Sequence, residues 1–256
     1  AHAWDRGYFE GSRVRLSSVT EASNVSSKSI KVGVAVPAAG SGQRMEGTRK
    51  AFLELLGEPM LLHAVRPFLA EVRVVAVVVA LSNEDVSELP AWSESVDPRM
   101  MFIRGGKTRS QSVRTAIEAL PAEVDVIAIH DAARPLVSSN IVSRCIDLAA
   151  DGFGVIAGTP AVDTIKCVGE DETVVRTLDR SMLWHAHTPQ VFPAGVLRRA
   201  YSDKSVEGTD DAALVESLRS SLQLKMVDAG RLNLKVTYRS DLALAEAILT
   251  SVSDSS

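Results

Sequence analysis

Two cations, Arg44 and Lys50, follow the turn Pro37-Ala38-Ala39-Gly40-Ser41-Gly42, and this turn closes the apolar run Lys31 to Val36. A strand-like run that ends in small residues presents backbone N–H groups, and with fixed positive charge beside them such a turn can hold a polyphosphate. Gly40 and Gly42 admit backbone conformations closed to other residues and let an anion approach the main chain. The segment predicts a nucleoside triphosphate site. Two better-known phosphate loops do not fit it. The dinucleotide fingerprint needs a glycine where Met45 stands and an acid ending the next strand, and the P-loop needs Gly-Lys-Ser/Thr where Gln43-Arg44-Met45 stands. A plain strand-to-helix turn also uses glycine, so the nearby cations carry the argument.

A carboxylate directly after a buried strand suits a hard divalent cation, and Asp131 in His130-Asp131-Ala132-Ala133-Arg134-Pro135 is so placed. Alternatively Asp131 caps a helix or pairs with Arg134. Gly105-Gly106, with Ser112 one turn inside the following helix, offers a second close backbone approach where a pyrimidine could be read, or an ordinary turn. Thr209-Asp210-Asp211 reads as a helix cap, with or without a ligand on the threonine. The histidines have no metal-ligand spacing and no Gly-x-Ser-x-Gly elbow is present, so metal clusters and serine acyl transfer find no support.

These residues need elements to place them. Strands are expected near 31–37, 73–81, 100–103, 124–129 and 153–159, with helices between, one of them capped at Thr108 with Gln111 three residues on and another running from Ser139 to Gly152. This alternation predicts an α/β fold with a doubly wound, mainly parallel sheet, whose ligand crevice lies at the carboxyl ends of the strands. The loops after the first, third and fourth strands should therefore meet over one site. Between Val162 and Val191 the pattern breaks into two strands around Gly169-Glu170-Asp171-Glu172, a hairpin arm at about 162–190. An isolated hairpin is marginal in water, so the arm is expected to pack against a second subunit. Helices near 194–202 and 210–219, a strand near 222–228 and a last helix from Ser240 follow.

The chain has 256 residues, 46% hydrophobic, with a formal net charge of -4. That is enough for one large domain, taken as 31–256, and gives no basis for a nucleic-acid surface. Residues 1–30 lack periodicity and are expected to form a poorly ordered extension. No apolar run is long enough to span a bilayer, and Cys145 and Cys167 stand apart without metal spacing, which fits reduced thiols and a cytoplasmic rather than a plastid location.

Together, Pro37 to Met45, Lys50, Gly105-Gly106 with Arg109 and Ser112, His130 to Pro135, Asp163-Thr164-Ile165-Lys166, Leu178-Asp179-Arg180, Trp184-His185, Thr188-Pro189-Gln190, Thr209-Asp210 and Lys235-Val236-Thr237 closely resemble the 2-C-methyl-D-erythritol 4-phosphate cytidylyltransferase family, in order, over Lys31 to Ser251. The resemblance implies transfer of cytidylyl from CTP to the alcohol phosphate, with release of pyrophosphate, in the non-mevalonate isoprenoid pathway. It implies Mg²⁺ on Asp131, catalytic cations Arg44, Lys50 and Lys235, and CTP contacts from Ala38, Ala39, Gly40, Gly42, Gly106 and Ser112. Substrate contacts would come from Asp131, Arg134, Thr164, Arg180, Thr188, Thr209 and Lys235, with Thr164 and Arg180 on an arm that crosses to the other subunit of a homodimer. The chain departs from some members in having Leu232 shortly before Lys235 and Lys107 after Gly106, in both cases where an acid can stand. Two other readings are a ribitol 5-phosphate cytidylyltransferase, whose family tends to carry a bulkier, glycine-containing version of His130 to Arg134, and a non-catalytic nucleotide-binding module.

Overall fold

In the computed structural model, residues 29–40, 52–203, 208 and 210–253 are described. Gly42, Arg44, Lys50, Thr209 and nearly all of the extension lie outside them. The parallel strands are β1 (Val32–Pro37), β4 (Val74–Leu81), β5 (Met100–Arg104), β6 (Val126–Ile129), β7 (Gly154–Pro160) and β11 (Leu224–Asp228). β1, β4, β6 and β7 read as nearly continuous apolar runs because both faces of the sheet are covered, whereas the edge strand β11 exposes Lys225 and Asp228. Along β1 the side chains alternate: Val32, Val34 and Val36 enter one core layer and Ala35 the other. The first layer packs under α1 (Met60–Leu69) and α4 (Ser139–Ala150), the second under α3 (Arg109–Ala119), α5 (Ala194–Ser202) and α6 (Asp211–Ser217).

The sheet has seven strands in the order β11-β7-β10-β6-β1-β4-β5. The member that the sequence does not announce is β10 (Trp184–Pro193), which runs antiparallel between β6 and β7. Pro189 and Pro193 lack the N–H that a ladder uses, so this stretch does not read as an interior strand. Its pairing with β7 breaks between Ala186 and Gln190, and this break accommodates Pro189. The arm expected over 162–190 therefore divides. Its hairpin proper is β8 (Lys166–Val168) paired with β9 (Val174–Thr177), while the stretch from Trp184 onward belongs to the main sheet.

The helix starts follow their caps. Thr108 accepts from Gln111 N, as its spacing predicts, and α4, expected from Ser139, is capped by Ser138, which accepts from Ile141 N. At α6 the cap is Asp210, which accepts from Ala213 N, one residue later than the threonine-led reading of Thr209-Asp210-Asp211. A small satellite core under α7 (Arg239–Ser253) joins Leu55, Met60, Val236 and Ala245. It brings the segment around Lys235 back to the main sheet, where Val236 N donates to Ala133 O at 2.8 Å.

Candidate active site

A pocket of about 400 Å³ lies at the carboxyl ends of β1, β5 and β6, lined among others by Ala38, Ala39, Gly40, Gly106, Arg109, Ser112, Asp131 and Lys235. The three strand-end loops thus meet as the doubly wound topology requires. Ala38 N donates to Ala80 O at 2.8 Å, which carries the ladder one residue past β1, so the turn itself begins at Ala39. A Cβ added at Gly40 would meet no atom of the described residues within 4 Å.

On the opposite wall the glycine turn is fastened from within α3. Ser112 Oγ accepts from Gly106 N at 3.1 Å and donates to Thr108 O at 3.0 Å. Gln111, whose side chain in a capping box would return to the Thr108 N–H, instead accepts from Lys107 N at 2.9 Å. Gly106 must be glycine, because a Cβ there would stand 2.2 Å from Gln111 Cβ. The Gly106 and Lys107 amides are thus both bonded to α3 side chains.

Asp131 holds the centre. Its Oδ1 accepts from Arg109 Nε at 3.0 Å and its Oδ2 from Lys235 Nζ at 2.7 Å. Burial pushes the carboxyl up, but the charges of Arg109 and Lys235 outweigh it and hold Asp131 ionised, well below the usual carboxylate range. Arg109 continues outward, donating Nη1 and Nη2 to the two oxygens of Asp211 at 3.0 and 2.8 Å. The result is an alternating row Asp211, Arg109, Asp131, Lys235, neutral in sum. Arg134, the other partner considered for Asp131, instead donates Nη1 to Asn233 O at 2.7 Å, and it is buried behind the pocket.

The main chain of Asp131 is fixed by a relay. His130 is fully buried, and burial lowers its pKa to about 4, so the ring is neutral. Nε2 faces Arg134 O at 3.1 Å, and a carbonyl can only accept, so Nε2 carries the proton. Nδ1 then accepts from the Thr188 hydroxyl at 3.2 Å, and Thr188 Oγ1 accepts from Asp131 N at 3.0 Å. The break in β10 aims Thr188 inward, onto the Asp131 backbone.

Ala38, Ala39, Gly40, Gly106, Ser112, Asp131 and Lys235 are thus gathered around one cavity. Thr188 and Arg134 stand behind it, buried. Thr164 and Arg180 are exposed on the arm, where Arg180 Nη1 donates to Val162 O at 2.6 Å. The family described as 2-C-methyl-D-erythritol 4-phosphate cytidylyltransferase has a model that matches residues 32–251. The chain belongs to this family. A Symbiobacterium thermophilum protein of that name is 41% identical over 224 residues, covering 86% of this chain and 93% of its own. A Solibacter usitatus protein of the same name is 38% identical over 237 residues, covering 86% and 96%. The Thermus thermophilus structure described as 2-C-methyl-D-erythritol 4-phosphate cytidylyltransferase superposes with a TM-score of 0.69 at 31% identity, covering 86% of this chain and 98% of that one.

From sequence alone, Arg109 takes no role at the site and Asp211 only a place at a helix start. A signal for Arg109 was available. It occupies the first turn of α3, where the helix dipole disfavours a cation and no acid stands on the same turn, which hints at a carboxylate from elsewhere. Asp211 gave no such signal, because an acid in the first turn of α6 is ordinary.

Proposed function

We propose that the chain transfers the cytidylyl group of CTP to 2-C-methyl-D-erythritol 4-phosphate, giving 4-diphosphocytidyl-2-C-methyl-D-erythritol and pyrophosphate in the non-mevalonate isoprenoid pathway. The observation that carries this reading is the convergence of three strand-end loops on one pocket with Asp131 held between Arg109 and Lys235. A phosphate oxygen of the acceptor attacks the α-phosphorus of CTP in line, the bond from that phosphorus to the oxygen bridging to the β-phosphorus breaks, and pyrophosphate leaves with the electron pair. The attacking phosphate is already anionic near neutral pH, so no base is needed. The protein's task is to bring two anions together and screen them. Lys235 lies at the pocket for this, and Arg44 and Lys50, outside the described residues, are the further cations assigned to the triphosphate by their place after the glycine turn.

The pocket fits a divalent cation such as Mg²⁺ through one carboxylate. A carboxylate has about four lone-pair sites, and Arg109 and Lys235 use one on each oxygen of Asp131. Mg²⁺ commonly takes one or two protein carboxylates with phosphate oxygens and water. Among the described residues no group of three His, Cys, Asp or Glu side chains gathers to hold a metal alone, so the triphosphate would complete the shell. When bound, the cation supplies charge neutralisation and alignment of the phosphates.

The arm supports a homodimer. Val162, Val168, Val174, Val175 and Met182 are exposed along it, apolar side chains that a second copy would cover. Thr164 and Arg180 would then reach the partner's acceptor phosphate. Sedimentation across a concentration series is expected to give a dimer that dissociates when Val175 and Met182 are changed to aspartate; a monomer at all concentrations would remove the arm from the assembly. No helix among the described residues is long and apolar enough to cross a membrane.

CTP-dependent pyrophosphate release is expected with 2-C-methyl-D-erythritol 4-phosphate and to be far slower with ribitol 5-phosphate. Release with ribitol 5-phosphate alone would reassign the acceptor. Tight CTP binding with no release from either would make the chain a nucleotide-binding module.

A further inference from the structure

The guanidinium fork of Arg109 faces away from the pocket. Its two terminal nitrogens meet Asp211, while Asp131 receives only Nε. Asp211 is completely buried, and the Tyr201 hydroxyl donates to the same Oδ1. Tyr201 is in turn fastened by Arg114, whose Nε donates to its carbonyl at 2.9 Å. The start of α6 is pinned to β10 by Gln190, which donates Nε2 to Asp210 Oδ2 at 2.8 Å and accepts from Ala212 N at 2.9 Å. Neither Asp211 nor Tyr201 lines the pocket.

A buried ion pair is a weak source of stability, because desolvation offsets most of its attraction. Geometry supplies another reason for this one. An arginine fork matches one carboxylate with two parallel bonds. Without Asp211 the carboxylate still bonded to Arg109 is Asp131, and a two-pronged grip there, together with Lys235, would close both of its oxygens. With Asp211 present the fork is occupied, and Asp131 keeps lone pairs toward the pocket. We infer that Asp211 and Tyr201 are positioning residues that hold the Arg109 fork off Asp131 and so keep Asp131 open to a divalent cation. This rests on the reading of the pocket given above.

The test compares wild-type protein with Asp211→Asn and Tyr201→Phe. Both variants keep side-chain shape, and a melting transition confirms folding. Mn²⁺ binding in the presence of CTP, followed by water-proton relaxation, reads the site without turnover, and the Mg²⁺ midpoint of pyrophosphate release reads it during turnover. Asp211→Asn is expected to weaken Mn²⁺ binding by about tenfold or more, the scale of lost support behind a metal ligand. Tyr201→Phe is expected to weaken it about threefold, the scale of one hydrogen bond. The double variant should be little worse than Asp211→Asn, because both act through one fork. A purely structural role would lower the melting temperature and leave Mn²⁺ affinity unchanged, and that result in folded variants overturns the inference. If Asp211→Asn does not fold, Tyr201→Phe alone decides. Wild-type protein that binds Mn²⁺ with CTP but turns over neither acceptor would sink the proposed reaction, while the variants' Mn²⁺ binding would still test this inference.

Discussion

Asp131→Asn is expected to lower kcat by about a hundredfold to a thousandfold, the scale of removing one preorganised electrostatic group from a reacting centre. Asparagine keeps the size of the side chain and the backbone bond from Asp131 N to Thr188. It removes the one negative charge between Arg109 and Lys235, and its amide NH₂ turns a donor toward one of them. Arg109 remains gripped by Asp211, so the wall of the pocket persists. The loss should therefore fall on the reacting step and on divalent-cation dependence, with KM for CTP nearly unchanged, because the glycine turns proposed to hold the nucleotide are untouched. Steady-state pyrophosphate release at saturating Mg²⁺, with a melting curve to confirm folding, reads this directly. A kcat within about threefold of wild type would take Asp131 out of the chemistry.

Acid should destabilise the fold well above the range in which exposed carboxylates protonate. His130 has an ordinary pKa of 6.5, lowered by burial to about 4 in the folded protein. Between those values the unfolded chain binds a proton that the native chain does not, so unfolding free energy falls as pH falls through this window and is unaffected by this group above it. The full difference is about 3 kcal/mol, of which about 2 kcal/mol should appear between pH 7 and pH 5. Below this window Asp131 acts in the same sense. Its carboxyl is held down by Arg109 and Lys235, and the stability gained from that is lost as pH falls below its ordinary value of 3.8. Half-buried His187, also lowered to about 4, adds to the acid sensitivity, so the measurement should be a difference between proteins. Urea unfolding of wild type and His130→Asn at both pH values should show the gap between them narrowing in acid. A gap that does not change with pH would mean that His130 is not the group that titrates.

Much of this architecture was legible in local pattern. The apolar runs of β1, β4, β5, β6 and β7 mark their strands within a residue or two, the cap at Thr108 marks the start of α3, and the helix expected from Ser139 is α4. Strand order then follows from how α/β units wind, so the meeting of three loops over one pocket could be expected before any coordinate was known. The hairpin was visible for the same reason, as two short strands about a polar turn.

Other features carried no local mark. The strand β10 enters the sheet with two prolines, and only the seat between β6 and β7 makes a strand of it. Arg134 and Thr188, chosen as substrate contacts, stand behind the pocket, bonded to Asn233 and to the His130–Asp131 turn. The partners of Asp131 were decided by tertiary structure alone: Arg109 is 22 residues away in the chain and Lys235 is 104, while Asp211 meets Arg109 across 102. Periodicity and capping act over a few residues and are written where they act. A charge becomes a partner only when folding removes it from water beside another, and no spacing in the chain encodes that distance.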